Sequence, residues 1–257
     1  MKLNRTITGD GDGPPILLAH GLFGQGRNLG ALARRLSEGR RVVAVDMRNH
    51  GDSPHDPNHG YPALADDLAR TIADLGGMVD LVGHSMGGKA SMMLALTRPD
   101  LVRRLAIMDI APIGYGHSQT ALIDAMESLD LSAIDRRSAA DTALAERIDD
   151  PGVRAFLLQS LDLKADPRAW RLNLTALRDQ MDRLVGWPDD APRATFDGPV
   201  LSIAGERSDY VTEAGQAALR TYFPQARVVR VKGAGHWLHA DAPETVAQIL
   251  IGFLGEG

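Results

Sequence analysis

The chain has 257 residues, 44% of them hydrophobic, with 28 Lys and Arg against 33 Asp and Glu and no Cys. A chain of this size buries a large core, and one α/β domain with an insertion is the expectation. A net charge of −5 without a basic cluster argues against a nucleic-acid partner, and the missing thiols remove disulfides, thiolate catalysis and Cys-held metals. No apolar run reaches bilayer length, and Met1-Lys2-Leu3-Asn4-Arg5 lacks the apolar stretch of a signal peptide, so a soluble cytoplasmic protein with no membrane span is expected.

Residues 2–8 read as a short strand, followed by a Gly/Asp/Pro turn through Pro15. Ile16-Leu17-Leu18-Ala19 is a continuous apolar run, the pattern of a strand buried on both faces. It ends in His20-Gly21-Leu22-Phe23-Gly24, and a helix follows with Leu29, Leu32, Ala33 and Leu36 on one face. Val42 to Val45 is the next buried strand, ending in Asp46. The loop from Met47 to Tyr61 is rich in Gly, Pro, His and Asn, and Pro62 opens a helix that carries Leu64, Leu68, Ile72 and Leu75. Its histidines, His50, His55 and His59, have no regular ligand spacing. They read as solvated loop residues and not as a metal site, and no metal is expected.

Val79, Leu81 and Val82 then run into Gly83-His84-Ser85-Met86-Gly87, and a helical pattern through Ala90, Met93, Leu94 and Leu96 begins at once. A bare G-x-S-x-G is a weak signal, but strand, sharp turn and helix with Ser at the apex is the setting of a nucleophile elbow. Side chains at Gly83 or Gly87 would collide with the neighbouring element. Gly83 to Lys89 also fits G-x-x-x-x-G-K, most of a nucleotide-binding loop, with Asp109 as a magnesium ligand. That motif requires Ser or Thr after the Lys, and Ala90 stands there. Leu105 to Met108 is a further strand, ending in Asp109.

The rhythm of strand and helix stops at Pro112. Residues 113–192 carry helical stripes only: Leu122, Met126 and Leu129; Ala140, Ala143, Leu144 and Ile148; Trp170, Leu174, Leu177 and Met181. Strands resume at Val200 to Ala204 and Arg227 to Val231, with a helix over 212–222 between them and a last helix bearing Val246, Ile249, Leu250 and Phe253. The expected architecture is a mainly parallel sheet with helices on both faces. Residues 1–112 and 193–257 form its core, and 113–192 an inserted helical cap. Ligands in such sheets bind beyond the carboxyl ends of the strands, where His20, Asp46, Ser85 and Asp109 all fall.

A serine hydroxyl needs an adjacent base to act as a nucleophile at neutral pH. His236, in the Gly-rich loop after the last strand, follows the Ser in chain order as a triad base would; His239 is the rival. His20 and His84 are expected to shape the turns they occupy. An oxyanion formed at Ser85 needs two backbone donors, expected from Met86 and Leu22. The acid that orients the His is either Asp109 or Asp209, and spacing leaves both open.

These motifs resemble the α/β-hydrolase superfamily, and within it the small YbfF-type acyl esterases. The resemblance is carried by His20-Gly21-Leu22-Phe23-Gly24 with Asn28, Asp46-Met47-Arg48-Asn49-His50-Gly51 with Ser53-Pro54, Tyr61-Pro62, and Gly83 through Ala90. It continues in Asp109-Ile110-Ala111-Pro112, Tyr210-Val211, and Gly233-Ala234-Gly235-His236-Trp237 with His239-Ala240, and so spans nearly the whole chain. It implies hydrolysis of esters or thioesters of short-to-medium acyl groups, a small-molecule substrate and no cofactor. It also favours Asp109 as the acid, because related sequences carry Ser where this chain has Ser208; Asp209 beside it is a departure. Phe156, Leu157, Trp170 and Trp187 are candidates for the pocket lining, with core packing of the cap helices as the favoured alternative for each. The competing functions are a cofactor-free lyase or peroxidase on the same triad, and a non-catalytic binding protein on the same fold.

Overall fold

The computed structural model describes residues 1–255. In chain order it forms β1 (Arg5–Thr8), β2 (Ile16–Ala19), α1 (Gly30–Leu36), β3 (Val42–Val45), α2 (Tyr61–Asp74), β4 (Val79–His84), α3 (Met86–Thr97) and β5 (Val102–Met108). An excursion follows with α4 (Thr120–Glu127), α5 (Arg137–Leu144), α6 (Pro151–Leu158), β6 (Leu161–Asp162), β7 (Ala169–Trp170), α7 (Leu174–Asp179) and α8 (Met181–Val185). The chain then returns through β8 (Val200–Gly205), α9 (Glu213–Tyr222), β9 (Ala226–Val231), α10 (Leu238–Asp241) and α11 (Pro243–Gly255).

Seven strands form one sheet in the order β1-β3-β2-β4-β5-β8-β9. β1 runs antiparallel to β3 and the other neighbours are parallel. The apolar runs are buried on both faces because their side chains alternate between two cores. Ile16, Leu18, Val42, Ala44, Val82 and Met108 pack with α1 and α11 on one side. Leu17, Ala19, Val43, Val45, Leu81 and Ile107 pack with α2, α3 and the excursion on the other. β1 begins at Arg5, later than expected, because its ladder with the four-residue β3 runs only from Arg5–Val45 to Thr8–Val42. Among the described residues no helix is long and apolar enough to cross a membrane.

The excursion is not wholly helical. β6 and β7 pair antiparallel, Leu161 opposite Trp170 and Asp162 opposite Ala169. Two-residue strands leave no period in a sequence, and this pair splits the expected third stripe: Trp170 lies in β7, Leu174 and Leu177 in α7, and Met181 opens α8. Asn173 starts α7 by accepting the Ala176 N–H at 3.2 Å.

The loop after β3 also differs from its expectation. His50 and His59 are fully buried, and only His55 is exposed. Loop backbone needs partners, and these side chains supply them. The His50 ring donates from Nδ1 to the Arg48 carbonyl (2.8 Å) and accepts the Phe23 N–H at Nε2 (3.1 Å). Asn49 Nδ2 donates to His59 Nδ1 at 3.0 Å. Arg48 meets the buried Asp67 at 2.6 Å and donates to the carbonyls of Asn58 and Ala63. This packed loop holds the excursion: Gly51 N–H donates to Arg171 O (2.8 Å) and Asn173 N–H to Asn49 O (3.0 Å).

Candidate active site

Ser85 sits where β4 turns into α3, half-buried, with φ +51°. The turn is as tight as its glycines suggest. A Cβ on Gly83 would lie 2.4 Å from Gly87 O, and one on Gly87 2.4 Å from Ala19 O. Ser85 is one of four residues other than Gly with positive φ among those described; the others are Phe23, Asn49 and Asp109. Each lies just past the carboxyl end of β2, β3, β4 or β5. Such conformations cost on the order of 1–3 kcal/mol apiece and persist only where surrounding contacts enforce them, a pattern typical of functional sites.

The hydroxyl of Ser85 lies 3.1 Å from His236 Nε2. His236 Nδ1 donates to Asp109 Oδ2 at 2.8 Å. Asp109 is fully buried; its Oδ1 accepts the Gly205 N–H at 2.8 Å and its Oδ2 also accepts the Ser208 hydroxyl. The two acids left open by spacing are thereby separated: Asp109 meets the imidazole, and Asp209 is exposed. Ser208, in the loop after β8, donates its hydroxyl to Asp109. His239 is half-buried in α10 against His84, with ring centroids 4.8 Å apart, and desolvation draws its pKa down to about 4; it is His236 that faces Ser85. Asp46, at the end of β3, holds loops by accepting the Gly26 N–H (2.7 Å), the Asp52 N–H (3.0 Å) and Asn4 Nδ2 (2.8 Å).

The turn after β2 lies against Ser85. Gly87 N–H donates to His20 O (3.1 Å), fastening the two turns together. His20 donates from Nδ1 to Gly21 O and accepts the Met47 N–H at Nε2, which keeps it neutral; burial lowers its pKa as well. His84 donates from Nε2 to His236 O at 2.9 Å. Both histidines shape their turns, as expected. Among the described residues neither the Leu22 nor the Met86 backbone N–H meets an acceptor, and both residues border the same cavity as Ser85. Met86 opens α3, whose N-terminal dipole adds favourable potential for negative charge at that spot.

The cavity measures about 230 Å³ and carries Ser85 and His236 on its wall. Phe156 of α6 lines it and faces Trp237 at 5.4 Å. The other three candidates do not reach it and pack within the fold, the competing reading for them. Leu157 is in the core, Trp170 donates from Nε1 to Met126 O, and Trp187 packs between Tyr61 and Tyr222. Their place comes from Leu184 and Val185 of α8 and from Tyr61, Lys89, Tyr115 and Tyr210. Tyr210 stacks on the His236 ring at 4.0 Å, 23° from parallel. The residue most open to discovery from sequence was Lys89, a lone cation on an otherwise apolar helix face, one turn after the Ser. Its ammonium donates to Val185 O and Gly186 O, so it does not act as a nucleotide-loop lysine. No cluster of metal-ligating side chains is present among the described residues.

The alpha/beta hydrolase fold model matches residues 14–243. The sn-1-specific diacylglycerol lipase ABHD11 of Mus musculus is 40% identical, covering 96% of this chain and 83% of its own length. Esterase YbfF of Escherichia coli K12 is 39% identical over the whole of both chains. A solved structure described as a marine microorganism esterase superposes with a TM-score of 0.93 at 33% identity, covering 98% of this chain and 99% of that one. Sheet order, Ser-bearing turn and these likenesses agree, and the chain belongs to the α/β-hydrolase fold family.

Proposed function

We propose that the protein is a serine hydrolase of carboxylic esters, and of the corresponding thioesters, that works through an acyl-enzyme. The observation that carries this reading is the unbroken line of hydrogen bonds from Ser85 Oγ through His236 to Asp109, bordering a cavity. The printed names of the relatives, an esterase and a diacylglycerol lipase, point to the same bond type.

Ser85 Oγ attacks the acyl carbonyl carbon while its proton passes to His236 Nε2. Asp109 holds the Nδ1–H tautomer and stabilises the imidazolium. The carbonyl oxygen takes up the negative charge against the free N–H groups of Leu22 and Met86, each worth roughly 10²–10³ in rate. Collapse breaks the bond to the alcohol or thiol, which leaves with the proton from His236. Water then attacks the acyl-serine, its proton passes through His236 back to Ser85 Oγ, and the carboxylic acid departs. In this reading 113–192 act as a cap that shapes the acyl site.

The test is turnover of p-nitrophenyl esters from acetyl to dodecanoyl, with fluorophosphonate labelling. Wild type should cleave part of the series and label at Ser85, and Ser85→Ala should lose about 10⁴–10⁶ in kcat and all labelling. A folded wild type that neither cleaves nor labels would turn the reading to a binding protein. Labelling without cleavage would turn it to a lyase or peroxidase on the same side chains.

A further inference from the structure

α3 is apolar and buried from Met86 to Leu96, yet Lys89 lies in its midst with 1% of its surface exposed. It stands four residues after Ser85, on the same helix face, and its N–H closes the first helical turn onto Ser85 O. Both residues border the acyl cavity. The ammonium donates to two neutral carbonyls, Val185 O at 3.1 Å and Gly186 O at 2.5 Å. Around it stand the rings of Tyr115 and Tyr61, with centroids 4.7 and 5.6 Å away. Both phenols are held protonated by burial, which raises their pKa values, and the Tyr61 hydroxyl is committed to Leu184 O.

No carboxylate among the described residues stands in ion-pair contact with Lys89. Burial draws its pKa down to about 7, and no charge nearby opposes that shift. Elsewhere the fold treats inward-facing cations differently: Arg48 pairs with Asp67, and Arg40 and Arg103 with Asp80. An unpaired buried ammonium is costly, and a Met of similar length would fill the same space without charge. Of its three donors, two have acceptors, which leaves one for a ligand.

We propose that Lys89 is an anion subsite in the acyl cavity, and that the acyl groups it selects carry a carboxylate at their far end: monoesters or monothioesters of short dicarboxylic acids. The proposal rests on the ester-hydrolase reading and adds the substrate class. The carboxylate would complete the ammonium's hydrogen bonds and supply the missing counter-charge in a site screened from water, where such a bond is at its strongest.

The test compares monoethyl glutarate with ethyl 5-methylhexanoate, which has nearly the same shape and no charge. Wild type should favour the glutarate in kcat/KM by about tenfold or more, and in folded Lys89→Met the ratio of the two kcat/KM values should fall to about one. A wild type without the preference, or a Lys89→Met that loses both esters equally, overturns the proposal; the second result would make Lys89 a strut for the end of α8. Binding of monoethyl glutarate to Ser85→Ala, measured by calorimetry, separates the subsite from the chemistry. If wild type cleaves neither ester, or Lys89→Met fails to fold, tighter binding of the glutarate than of the neutral ester by Ser85→Ala supports the subsite, and equal or no binding overturns it.

Discussion

The turns that end β2 to β5 and the excursion over 113–192 border one cavity but are held by opposite means. The turns are fixed from within. Four residues in left-handed backbone close the strands, and neutral histidines bond the loops to one another. The excursion has no such strained residue other than Gly among those described, and its helices are five to eight residues long, against 14 in α2 and 12 in α3. Helices that short have little stability of their own and take their position from packing. The difference teaches where each property is encoded. Ser85 and Asp109 are placed by local turns whose residues are nearly dictated, whereas the cavity wall depends on how short helices settle against the sheet.

The hardest test of this contrast is at the acid. If the strand-end framework alone positions His236, Asp109→Asn should lower kcat by about 10³–10⁴, with folding intact, because the amide no longer holds the productive tautomer. Asp209→Asn, one residue from Ser208 but exposed, should stay within about twofold of wild type. Rates on the same ester series decide it. A larger fall in the Asp209 variant would show that the β8 loop rearranges around substrate and is not part of the fixed framework.

Adjacent residues of α6 sharpen the comparison within the excursion. Leu157 is fully buried in the core, and Phe156 is half-buried in the cavity wall. Leu157→Ala should cost about 2–5 kcal/mol of stability by urea unfolding and leave the order of preferred acyl chains unchanged. Phe156→Ala should cost less in stability and shift relative kcat/KM toward longer or bulkier acyl groups by roughly tenfold, the scale of one or two methylenes in a pocket. If both variants altered selectivity alike, the excursion would be transmitting core strain into the pocket.

Legibility in the sequence follows the same division. The run from Asp80 to Ala90 announces the elbow because turn, glycines and apolar strand are consecutive. His236 is readable because it follows the last strand in a Gly-rich loop. Spacing could not choose between Asp109 and Asp209, since either lies past a strand; the choice depends on Asp109 turning inward at φ +53°, below Ser208 and Gly205. The pocket roles of Leu184, Val185 and Tyr115 had no local signal, because those residues are joined to the site only through tertiary contacts such as Lys89 Nζ to Val185 O and Tyr115 N–H to Val185 O. The loop histidines misled for a physical reason. A polar loop is ordinarily solvated, and here its polar side chains are turned inward to satisfy its own backbone.

That inversion has a consequence in acid, and it separates the two regions once more. His59 is held neutral down to about pH 3 by burial and the nearby Arg48 charge, and His239 to about 4 by burial and by His236. His20, His50 and His84 are shifted in the same direction, burial being the first cause for each. An unfolded chain protonates these rings as pH falls below about 6.5, and the folded chain protonates them only at lower pH, so the unfolded state binds more protons in between. Stability should therefore be highest above pH 6.5 and fall as pH drops from 6.5 toward 4, with His59 alone contributing about 2 kcal/mol of the loss between pH 6.5 and 5 and the other rings adding in the same direction. The excursion contains a single histidine, His117, which is exposed, so the loss should originate in the framework. Urea midpoints at pH 7.5, 6.5, 5.5 and 5.0 measure it, and His59→Gln, whose amide oxygen can still accept from Asn49, should flatten the curve by one ring's share. Midpoints that stay level to pH 5.0 would mean that the histidines take up protons without opening the turns, and the framework would then be no more rigid than the excursion it supports.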